Sequence, residues 1–269
     1  MTFSLPRRDP IDDPIDGEHG IEMVASRAWP ALEQLPLGPW VLRANGGFSR
    51  RANSVLAAGA VGDVEALDLI ERAEKLYAER GLPAQFQLAT SERHRRLHEV
   101  LLERGYQVTA AGEVSVLVAA LRVLRSVAPA DRDGRVRIAD LASDAWIERW
   151  WAAQHAPTFQ KETAIRFVGQ LAGRCGFAAH VNGAAVLAAG LGVIEGAWLG
   201  LFSIGSEPDE SGRGSDRRIV GALATWGIAH AAQRAYVQIG ETNPARLELF
   251  RSFGFTPLHR YRFLERPQP

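Results

Sequence analysis

The chain repeats one short pattern at two places, and this repeat constrains its fold more than any other feature. The segment AQFQLATSE covers Ala84–Glu92, and the similar segment AYVQIGETN covers Ala235–Asn243. Each is followed by a predicted helix that ends in glycine and an aromatic residue, at Gly105–Tyr106 and at Gly254–Phe255. A strand, a helix and a stop signal in the same order at two places indicate a duplicated α/β unit.

The two copies are separated by a segment rich in Pro, Asp and Gly, APADRDG at Ala128–Gly134. Such a composition is typical of a linker. The sequence therefore predicts a lead-in at residues 1–17, a first α/β domain at 18–127, a linker at 128–135 and a second α/β domain at 136–266. The lead-in carries prolines among alternating charges and has no apolar core of signal-peptide length, so we expect it to be disordered.

In the first half, hydrophobic periodicity and turn residues predict three helices and four strands. Asp63 is the predicted N-cap of the second helix, and Gly81 is its stop. In chain order the elements are helix Ile21–Leu35, strands Trp40–Ala44 and Ala52–Ala58, helix Asp63–Arg80, strand Gln85–Leu88, helix Arg93–Arg104 and strand Glu113–Leu121.

In the second half, turns at Asn182–Gly183 and Glu195–Gly196 predict an antiparallel meander of three strands. The fold class is therefore α/β (α+β), with a mixed, mostly antiparallel sheet in each half and helices at its flanks. In chain order the elements are strand Val136–Asp140, helices from Ser143 to Gln154 and from Thr163 to Ala172, strands Phe177–Val181, Ala185–Val193 and Ala197–Ile204, helix Asp216–Gln233, strand Ala235–Gly240, helix Pro244–Phe253 and strand Leu258–Leu264.

Composition argues against several classes of partner. The chain has 31 basic and 31 acidic residues, so no bulk charge attracts it to nucleic acid or to an anionic membrane. No apolar stretch approaches the ~20 residues of a membrane span. The single cysteine, Cys175, opens an apolar run and is expected to be a buried thiol, and no Cys/His cluster predicts a metal site. We expect a cytoplasmic protein without a metal; the sequence does not indicate an oligomeric state.

The most informative stretch is SEPDESGRGSDRRIVGAL, which runs from Ser206 to Leu223 between a strand and a helix. It contains Gly212 and Gly214, with arginines among and after them. Glycine lets the backbone approach an anion closely, and the N–H groups at a helix N-terminus favour negative charge. The loop therefore predicts an anion site; the alternative is an exposed polar turn before a surface helix.

The order of these elements resembles the GCN5-related N-acetyltransferase (GNAT) superfamily, with the first half as a degenerate copy that lacks a glycine–arginine loop. The tandem arrangement and the segment Gly38–Val55 resemble, more narrowly, actinobacterial single-chain proteins described as N-acetylglutamate synthases. The superfamily's diphosphate loop, [QR]-x-x-G-x-[GA], overlays Ser211-x-x-Gly214-x-Asp216, and its N…A…LY…GF segment overlays Asn243, Ala245, Leu249–Phe250 and Gly254–Phe255.

The resemblance implies an N-acetyltransferase that uses acetyl-CoA and acts on the amine of a small molecule, such as the amino acid glutamate. Backbone groups at the end of the strand, Ile204, Gly205 and Ser206, are expected to face the pantetheine arm. Asn243 is expected near the pantetheine or the thioester. The residues expected around the diphosphate are Ser211, Gly212, Arg213, Gly214, Ser215, Asp216 and Arg217.

Three residues depart from the family pattern. Ser211 replaces the usual Gln or Arg, and Asp216 stands where Gly or Ala is usual, either as a helix N-cap or as a charge that repels phosphate. Phe250 occupies the cofactor-side position of the family's tyrosine acid, and a phenyl ring cannot donate a proton. An alternative function is therefore a sensor or structural protein that binds an acyl-CoA or an amino acid without turnover.

Glu241 is the candidate base and Tyr261 the candidate acid, against the alternatives of a solvated charge and a packing residue. Trp150 and Trp151 are candidates for the wall of the acceptor pocket, although tryptophans at this spacing are also typical of core packing. In the first half, polar residues on two predicted strands either bind an acidic group or brace the two halves together: Arg43, Arg50, Arg51 and Asn53. The histidines His155, His180 and His259 are expected to be structural.

Overall fold

The structure, a computed structural model, describes residues 18–129, 131, 133–154, 157–171, 175–207 and 214–266. The predicted lead-in, like Ser211, Gly212, Arg213 and His155, lies outside these residues. Within the described part the strands are β1 Glu33–Leu37, β2 Trp40–Ala44, β3 Val55–Leu56, β4 Gln85–Ala89, β5 Gln107–Ala120, β6 Val136–Ala139, β7 Cys175–Asn182, β8 Ala185–Glu195, β9 Trp198–Ser206, β10 Arg234–Gly240 and β11 Thr256–Glu265.

The helices pack against both faces of the sheet that these strands form. They are α1 Glu18–Ala28, α2 Asp63–Ala78, α3 Arg95–Glu103, α4 Leu121–Val127, α5 Asp144–Ala152, α6 Lys161–Gly169, α7 Ser215–Ala229 and α8 Pro244–Ser252. Short 3-10 turns cover 50–52, 92–94 and 158–160.

One mixed sheet runs through the whole described chain, in the order β1-β2-β3-β4-β11-β5-β10-β9-β8-β7-β6. Its pairs are antiparallel except β3 with β4 and β9 with β10, which are parallel. The predicted class, a mostly antiparallel sheet flanked by helices, is therefore confirmed.

The last strand of each half is hydrogen-bonded to the other half. β11 lies between β4 and β5, and β5 lies between β11 and β10. The fourteen residues of β5 make this possible, because one edge pairs with β10 from Val114 to Ala120 while the other pairs with β11. This exchange leaves neither half with an open sheet edge at the junction. The division at residues 128–135 stays a prediction about the chain, while the sheet is continuous across it.

Three clusters of buried side chains form the core. One lies under α1, α5 and α6, on the face that Trp29, Phe202 and Tyr236 share. A second lies under α4, α7 and α8 on the opposite face, where Val237 and Ile239 of β10 point. The third lies in the first half between α2, α3 and the strands β1–β4. Alternation along β10 thus gives each face of the sheet its own helical layer.

The elements differ from the sequence prediction at three places. Of the predicted strand Ala52–Ala58, only Val55–Leu56 is strand, and a 3-10 turn precedes it at 50–52. The first helix ends at Ala28, and residues 33–37 form β1 instead of helix. Pro36 made this segment a poor strand candidate, but β1 is an edge strand, where proline is tolerated. The helix α4 was missed because the apolar residues around Leu121 and Leu124 continue directly from β5, so no turn signal separates the two elements.

The predicted helix ends are mostly correct, and one predicted cap is wrong. Ser143 caps α5 by accepting a 3.2 Å hydrogen bond from the backbone N–H of Trp146. Gly105 and Gly254 both adopt φ of +85°, the left-handed conformation in which glycine ends a helix. The cap of α2 is Gly62 and not Asp63, which is the first helical residue.

Candidate active site

The two parallel strands β9 and β10 separate halfway along their length. They pair only where Trp198–Gly200 lies beside Arg234–Tyr236. Beyond this point β9 remains paired with β8 through Ser206, and β10 with β5 through Gly240, but they no longer pair with each other. Parallel strands that diverge open a gap at their carboxyl ends, the usual place for a ligand in sheets of this kind.

A bulge in β9 accompanies the separation. Ala189 of β8 lies opposite Gly205, whereas Leu191 lies opposite Phe202, so β9 has one extra residue between these pairs. Within this stretch Ser203 has φ of +50°, which is uncommon for a residue with a side chain. Because a bulge bends its strand, it accounts for the turn of Ile204–Ser206 away from β10.

The N-terminus of α7 lies at the same end of the sheet. Its N-cap is Gly214, with φ of +81° and ψ of +18°. An added Cβ at Gly214 would meet no atom of the described residues within 4 Å, so these residues leave the space beside this backbone open. The first backbone N–H groups of a helix lack partners within the helix and attract anions. Of the predicted loop, Gly214, Ser215, Asp216 and Arg217 are described.

Ser215 and Asp216 use their side chains inside the protein. The Ser215 hydroxyl lies 2.9 Å from Nδ1 of buried His180 on β7, and Ser215 is itself fully buried. Asp216 is 8% exposed and is not the helix cap, which corrects that interpretation. Its Oδ2 accepts a 3.0 Å hydrogen bond from Nη1 of Arg246. A carboxylate in the first turn remains favourable because it faces the positive end of the helix dipole.

Arg246, which the sequence interpretation missed, lies across the opening between β9 and α7. Besides contacting Asp216, its Nη2 donates to the carbonyl oxygen of Ile204 at the end of β9. Burial lowers the pKa of Arg246, and the neighbouring carboxylate of Asp216 opposes that shift. The sequence signal that could have located Arg246 is the helix cap. Asn243 followed by Pro244 begins α8 and places residue 246 in the first turn of that helix.

Arg217 does not take the predicted position. Its guanidinium stacks on the ring of Phe253 at 4.5 Å and donates to the Ser252 hydroxyl at 3.0 Å. Both partners lie at the C-terminal end of α8, so Arg217 is drawn away from the α7 N-terminus. Within the described residues Arg246 is the arginine that contacts the first turn of α7.

Asn243 and Phe250 hold α8 in place. The Asn243 side-chain oxygen accepts a 3.1 Å hydrogen bond from the backbone N–H of Arg246, which caps the helix and leaves its NH₂ group for another partner. Phe250 is 2% exposed and packs edge-on against Phe255 at 5.3 Å. The ring of Phe250 is part of the hydrophobic core, and Cζ of Arg246 lies 5.6 Å from its centroid.

Glu241 directly follows β10, and its carboxylate has two partners. The Ser115 hydroxyl donates to Oε1 of Glu241, and Nε of Arg260 lies 3.4 Å from the same oxygen. About a third of the side chain, 31%, is exposed. Two neighbouring strands, β5 and β11, thus fix a half-buried carboxylate at the end of the strand that borders the gap.

On the opposite face of the sheet, Arg51 brings a positive charge from the first half to the second. Its Nη1 donates to Oε1 of Gln238 on β10 at 2.8 Å, and its guanidinium lies 5.6 Å from the ring of Trp29 and 5.8 Å from that of Phe202. These contacts brace the two halves, as one of the two interpretations predicts, and a guanidinium with five N–H donors keeps donors for an acidic group as well. Arg43 is buried and donates to Ser54 and Gln87, within the first half.

Two tyrosines on this face have raised pKa values. Burial raises the pKa of Tyr261 to about 12, and its hydroxyl is hydrogen-bonded to Arg51. Burial raises the pKa of Tyr236 even further. Tyr261 is 1% exposed and lies on β11, two strands away from β10. It therefore carries a neutral phenol at physiological pH, inside the packed region that joins the two halves.

The two candidate wall tryptophans differ in exposure. Trp150 is fully buried, stacked on Trp146 with ring centroids 5.7 Å apart and edge-on to Phe48 at 5.8 Å. This favours the packing interpretation for Trp150. Trp151 is partly exposed and lies 6.2 Å from Phe48, so it is the tryptophan that keeps an open edge.

The described residues contain neither a cluster of metal ligands nor a helix suited to a membrane. Three or more His, Cys, Asp or Glu side chains are nowhere grouped so as to hold a metal ion. Among the described helices, none has both the length and the apolar character that crossing a membrane requires.

Sequence comparison links the chain to acetyltransferases over almost its full length. Residues 19–264 match the family model described as "Probable histone acetyltransferase Rv0428c C-terminal". The uncharacterized N-acetyltransferase YobR of Bacillus subtilis is 26% identical over 251 residues, covering 92% of this chain and 99% of that protein. The probable histone acetyltransferase Rv0428c of Mycobacterium tuberculosis is 30% identical over 247 residues, covering 91% and 72%.

Solved structures share the two-part fold. A GCN5-related N-acetyltransferase from Kribbella flavida superposes with a TM-score of 0.70 at 17% identity, covering 94% of this chain and 97% of its own. A tandem GNAT protein from the clavulanic acid biosynthesis pathway superposes with a TM-score of 0.62 at 12% identity, covering 93% and 89%. At these identities the likeness concerns the fold.

Proposed function

This chain belongs to the family of the Rv0428c C-terminal region and with it to the GNAT-family N-acetyltransferases, and we propose that it moves the acetyl group of acetyl-CoA to the amine of a small molecule. GNAT acetyltransferases use acetyl-CoA, so the coarse activity follows from the family. The proposal concerns where acetyl-CoA binds, which residues assist, and what kind of amine accepts the acetyl group.

The observation that carries the proposal is the coincidence of two features at one end of the sheet. The gap between β9 and β10 opens where α7 begins, and no described residue obstructs the space beside Gly214. An extended chain that ends in a diphosphate fits such a place, because the strand edges offer backbone hydrogen bonds and the helix N-terminus attracts the anion.

The pantetheine arm would then run along the end of β9. Ile204, Gly205 and Ser206 do not pair with β10, so backbone groups on this edge other than the Ile204 carbonyl, which accepts from Arg246, can bond the two amides of the arm. Asn243, the N-cap of α8, would then present its NH₂ group to the same opening. The thioester would reach the gap between the strands, where an amine could approach from the face of Arg51 and Trp29.

The reaction itself needs a neutral amine. The amine nitrogen attacks the thioester carbonyl, the C–S bond breaks, and CoA leaves as a thiolate. A thiol with a pKa near ~8.5 is a good leaving group, so the missing family tyrosine at Phe250 is a modest loss. Removal of the proton from the amine is the step that needs a side chain. Glu241 at the end of β10 is the proposed base, and it would act through a water in the gap, because its carboxylate contacts Ser115 and Arg260 on the face of the sheet opposite Arg51.

We expect Glu241→Gln to lower kcat about 100-fold or more, with the KM for acetyl-CoA within about 3-fold of wild type, because general-base help typically contributes 10²–10⁴ in rate. Glu113→Gln is the matched control from the neighbouring strand β5. Its backbone carbonyl accepts from the backbone N–H of Glu241, and its carboxylate also contacts Arg260, at 3.6 Å, but Oε1 of that carboxylate is held by Arg262 at 2.9 Å. Steady-state kinetics and melting temperatures of both variants measure this. An equal loss in the two variants would remove Glu241 from the role.

The acceptor is proposed to carry a carboxylate. Arg51 supplies a half-buried positive charge beside Phe202 and Gln238, on the face from which the amine would approach. Guanidinium groups bind carboxylates with two parallel hydrogen bonds. An amino acid, with its amine close to a carboxylate, has this chemistry, and glutamate is one such acceptor.

A panel of amines tests this proposal through the release of free thiol from acetyl-CoA. Amino acids, glutamate among them, should be acetylated faster than their α-amides, which keep the amine but lack the carboxylate. A histone tail peptide belongs in the panel because of the name of the mycobacterial relative. Preference for the peptide would contradict the small-molecule proposal. Binding of CoA without thiol release on any amine would instead indicate a sensor without turnover.

A further inference from the structure

Arg246 is a mostly buried arginine placed between the end of one strand and the start of one helix. Its side chain is 24% exposed. One nitrogen donates to the carbonyl of Ile204 and the other terminal nitrogen to Asp216. A guanidinium has five N–H donors, so these two contacts leave donors for a further acceptor.

At the start of α7 the negative charge of Asp216 is paired with the positive charge of Arg246. Asp216 places a carboxylate in the first turn of α7, where a diphosphate is proposed to bind. Its Oδ1 is buried and has no hydrogen-bond partner among the described residues. An unneutralised carboxylate there would repel an anion. Arg246 cancels this charge and brings a planar donor group suited to phosphate oxygens to the same opening.

In the first half, two separate arginines make the corresponding contacts, one to a carbonyl at the end of a strand and one to an acidic residue at the start of a helix. There Arg93 donates to the carbonyl of Ala58, just after β3, and Arg96 binds Asp63 at the start of α2 at 2.7 Å. Arg96 and Asp63 are 54% and 53% exposed, an ordinary surface ion pair. In the second half one arginine makes both contacts and is enclosed by them, which fixes its position.

We propose that Arg246 is a ligand of the acetyl-CoA diphosphate, and that Asp216 holds its guanidinium in place for that contact. The inference rests on the proposed function, because it assigns a residue to the same site. It goes beyond the predicted loop, since Arg246 comes from α8 and replaces Arg217, which is bound elsewhere.

Arg246→Gln tests the proposal, with CoA and pantetheine as the two probes. Pantetheine has the amide arm and the thiol but no phosphate. We expect the Kd for CoA to rise about 10- to 100-fold, the range for loss of charge-assisted hydrogen bonds, while the Kd for pantetheine changes by less than about 2-fold. Isothermal calorimetry measures both. Arg96→Gln, the corresponding change in the first half, should leave both values unchanged.

Several outcomes would overturn the proposal. Unchanged or tighter CoA binding by Arg246→Gln would mean that the arginine is only a structural clasp or an obstruction. Equal weakening for CoA and pantetheine would mean a general change of the cleft. If Arg246→Gln does not fold, Arg246→Lys keeps the charge but loses the planar fork. In that variant the preference for CoA over pantetheine should fall at least about fivefold, and an unchanged preference contradicts the proposal.

Failure of this inference and failure of the proposed function give different results. If the wild-type protein binds neither CoA nor pantetheine, the acetyl-CoA site itself is wrong. If the wild type binds both and Arg246→Gln keeps the same ratio of affinities, only the assignment of Arg246 fails.

Discussion

Gly214→Glu is expected to reduce CoA affinity at least about 100-fold while the protein stays folded. The φ of +81° at Gly214 is costly for any residue with a Cβ, by about 1–2 kcal/mol. The larger effect is electrostatic and steric, because a carboxylate would enter the open space where the diphosphate is proposed to lie. A thermal-shift titration should show a melting temperature that rises with CoA for wild type and stays constant for the variant.

Gly183→Glu is the matched control for this experiment. Gly183 has φ of +60° and, like Gly214, open space around an added Cβ, but it lies in the turn between β7 and β8. The control thus adds the same charge and similar backbone strain without touching the cleft. We expect it to bind CoA like wild type. CoA-induced stabilisation that survives in Gly214→Glu would place the diphosphate away from the α7 N-terminus.

A chain that ends at Phe255 is expected not to fold in either half. The truncation removes β11, whose Tyr261, Phe263 and Leu264 are at most 4% exposed. Each such side chain contributes about 1.5–3 kcal/mol when buried. The three together approach the 5–15 kcal/mol of a typical domain. The loss also leaves β4 and β5 with unpaired edges that face each other across the missing strand.

Hydrogen exchange of amides in β4 and β10 measures this second prediction, because one strand belongs to each half. Both strands should lose protection together in the truncated chain. A chain that ends at Arg266 keeps β11 and should behave like wild type. Persistent protection in β4 would show that the first half folds without the exchanged strand, and that the continuous sheet is not one cooperative unit.

The order of elements could be predicted because its signals are local. Alternation, caps and turn glycines such as Gly105 and Gly254 depend on neighbours in sequence, and the repeat made them easier to find. The exchange of β5 and β11 could not be predicted. Either arrangement satisfies the same hydrophobic pattern, and the choice depends on pairing between residues more than a hundred positions apart.

In the site, too, features with a local sequence signal could be predicted and features set by long-range contacts could not. Gly214 was found because a glycine before a helix is a sequence signal with a backbone cause. Ser203 was missed, since a bulge arises from the pairing register of β8 and β9 and leaves no mark in the sequence. Arg246 was missed because nothing local distinguishes a first-turn arginine that reaches Asp216 from one that faces solvent. Asp216 was therefore interpreted as a cap, although its partner is 30 residues away.

A crystal structure of the protein with CoA tests the central claim most directly. The account predicts that the pantetheine arm lies between the separated ends of β9 and β10. It also predicts diphosphate oxygens about 3 Å from the backbone nitrogens of Gly214 and Ser215, within reach of Arg246. A diphosphate bound elsewhere, for example at the start of α2 beside Gly62, with Arg246 still closed over the gap, would contradict it.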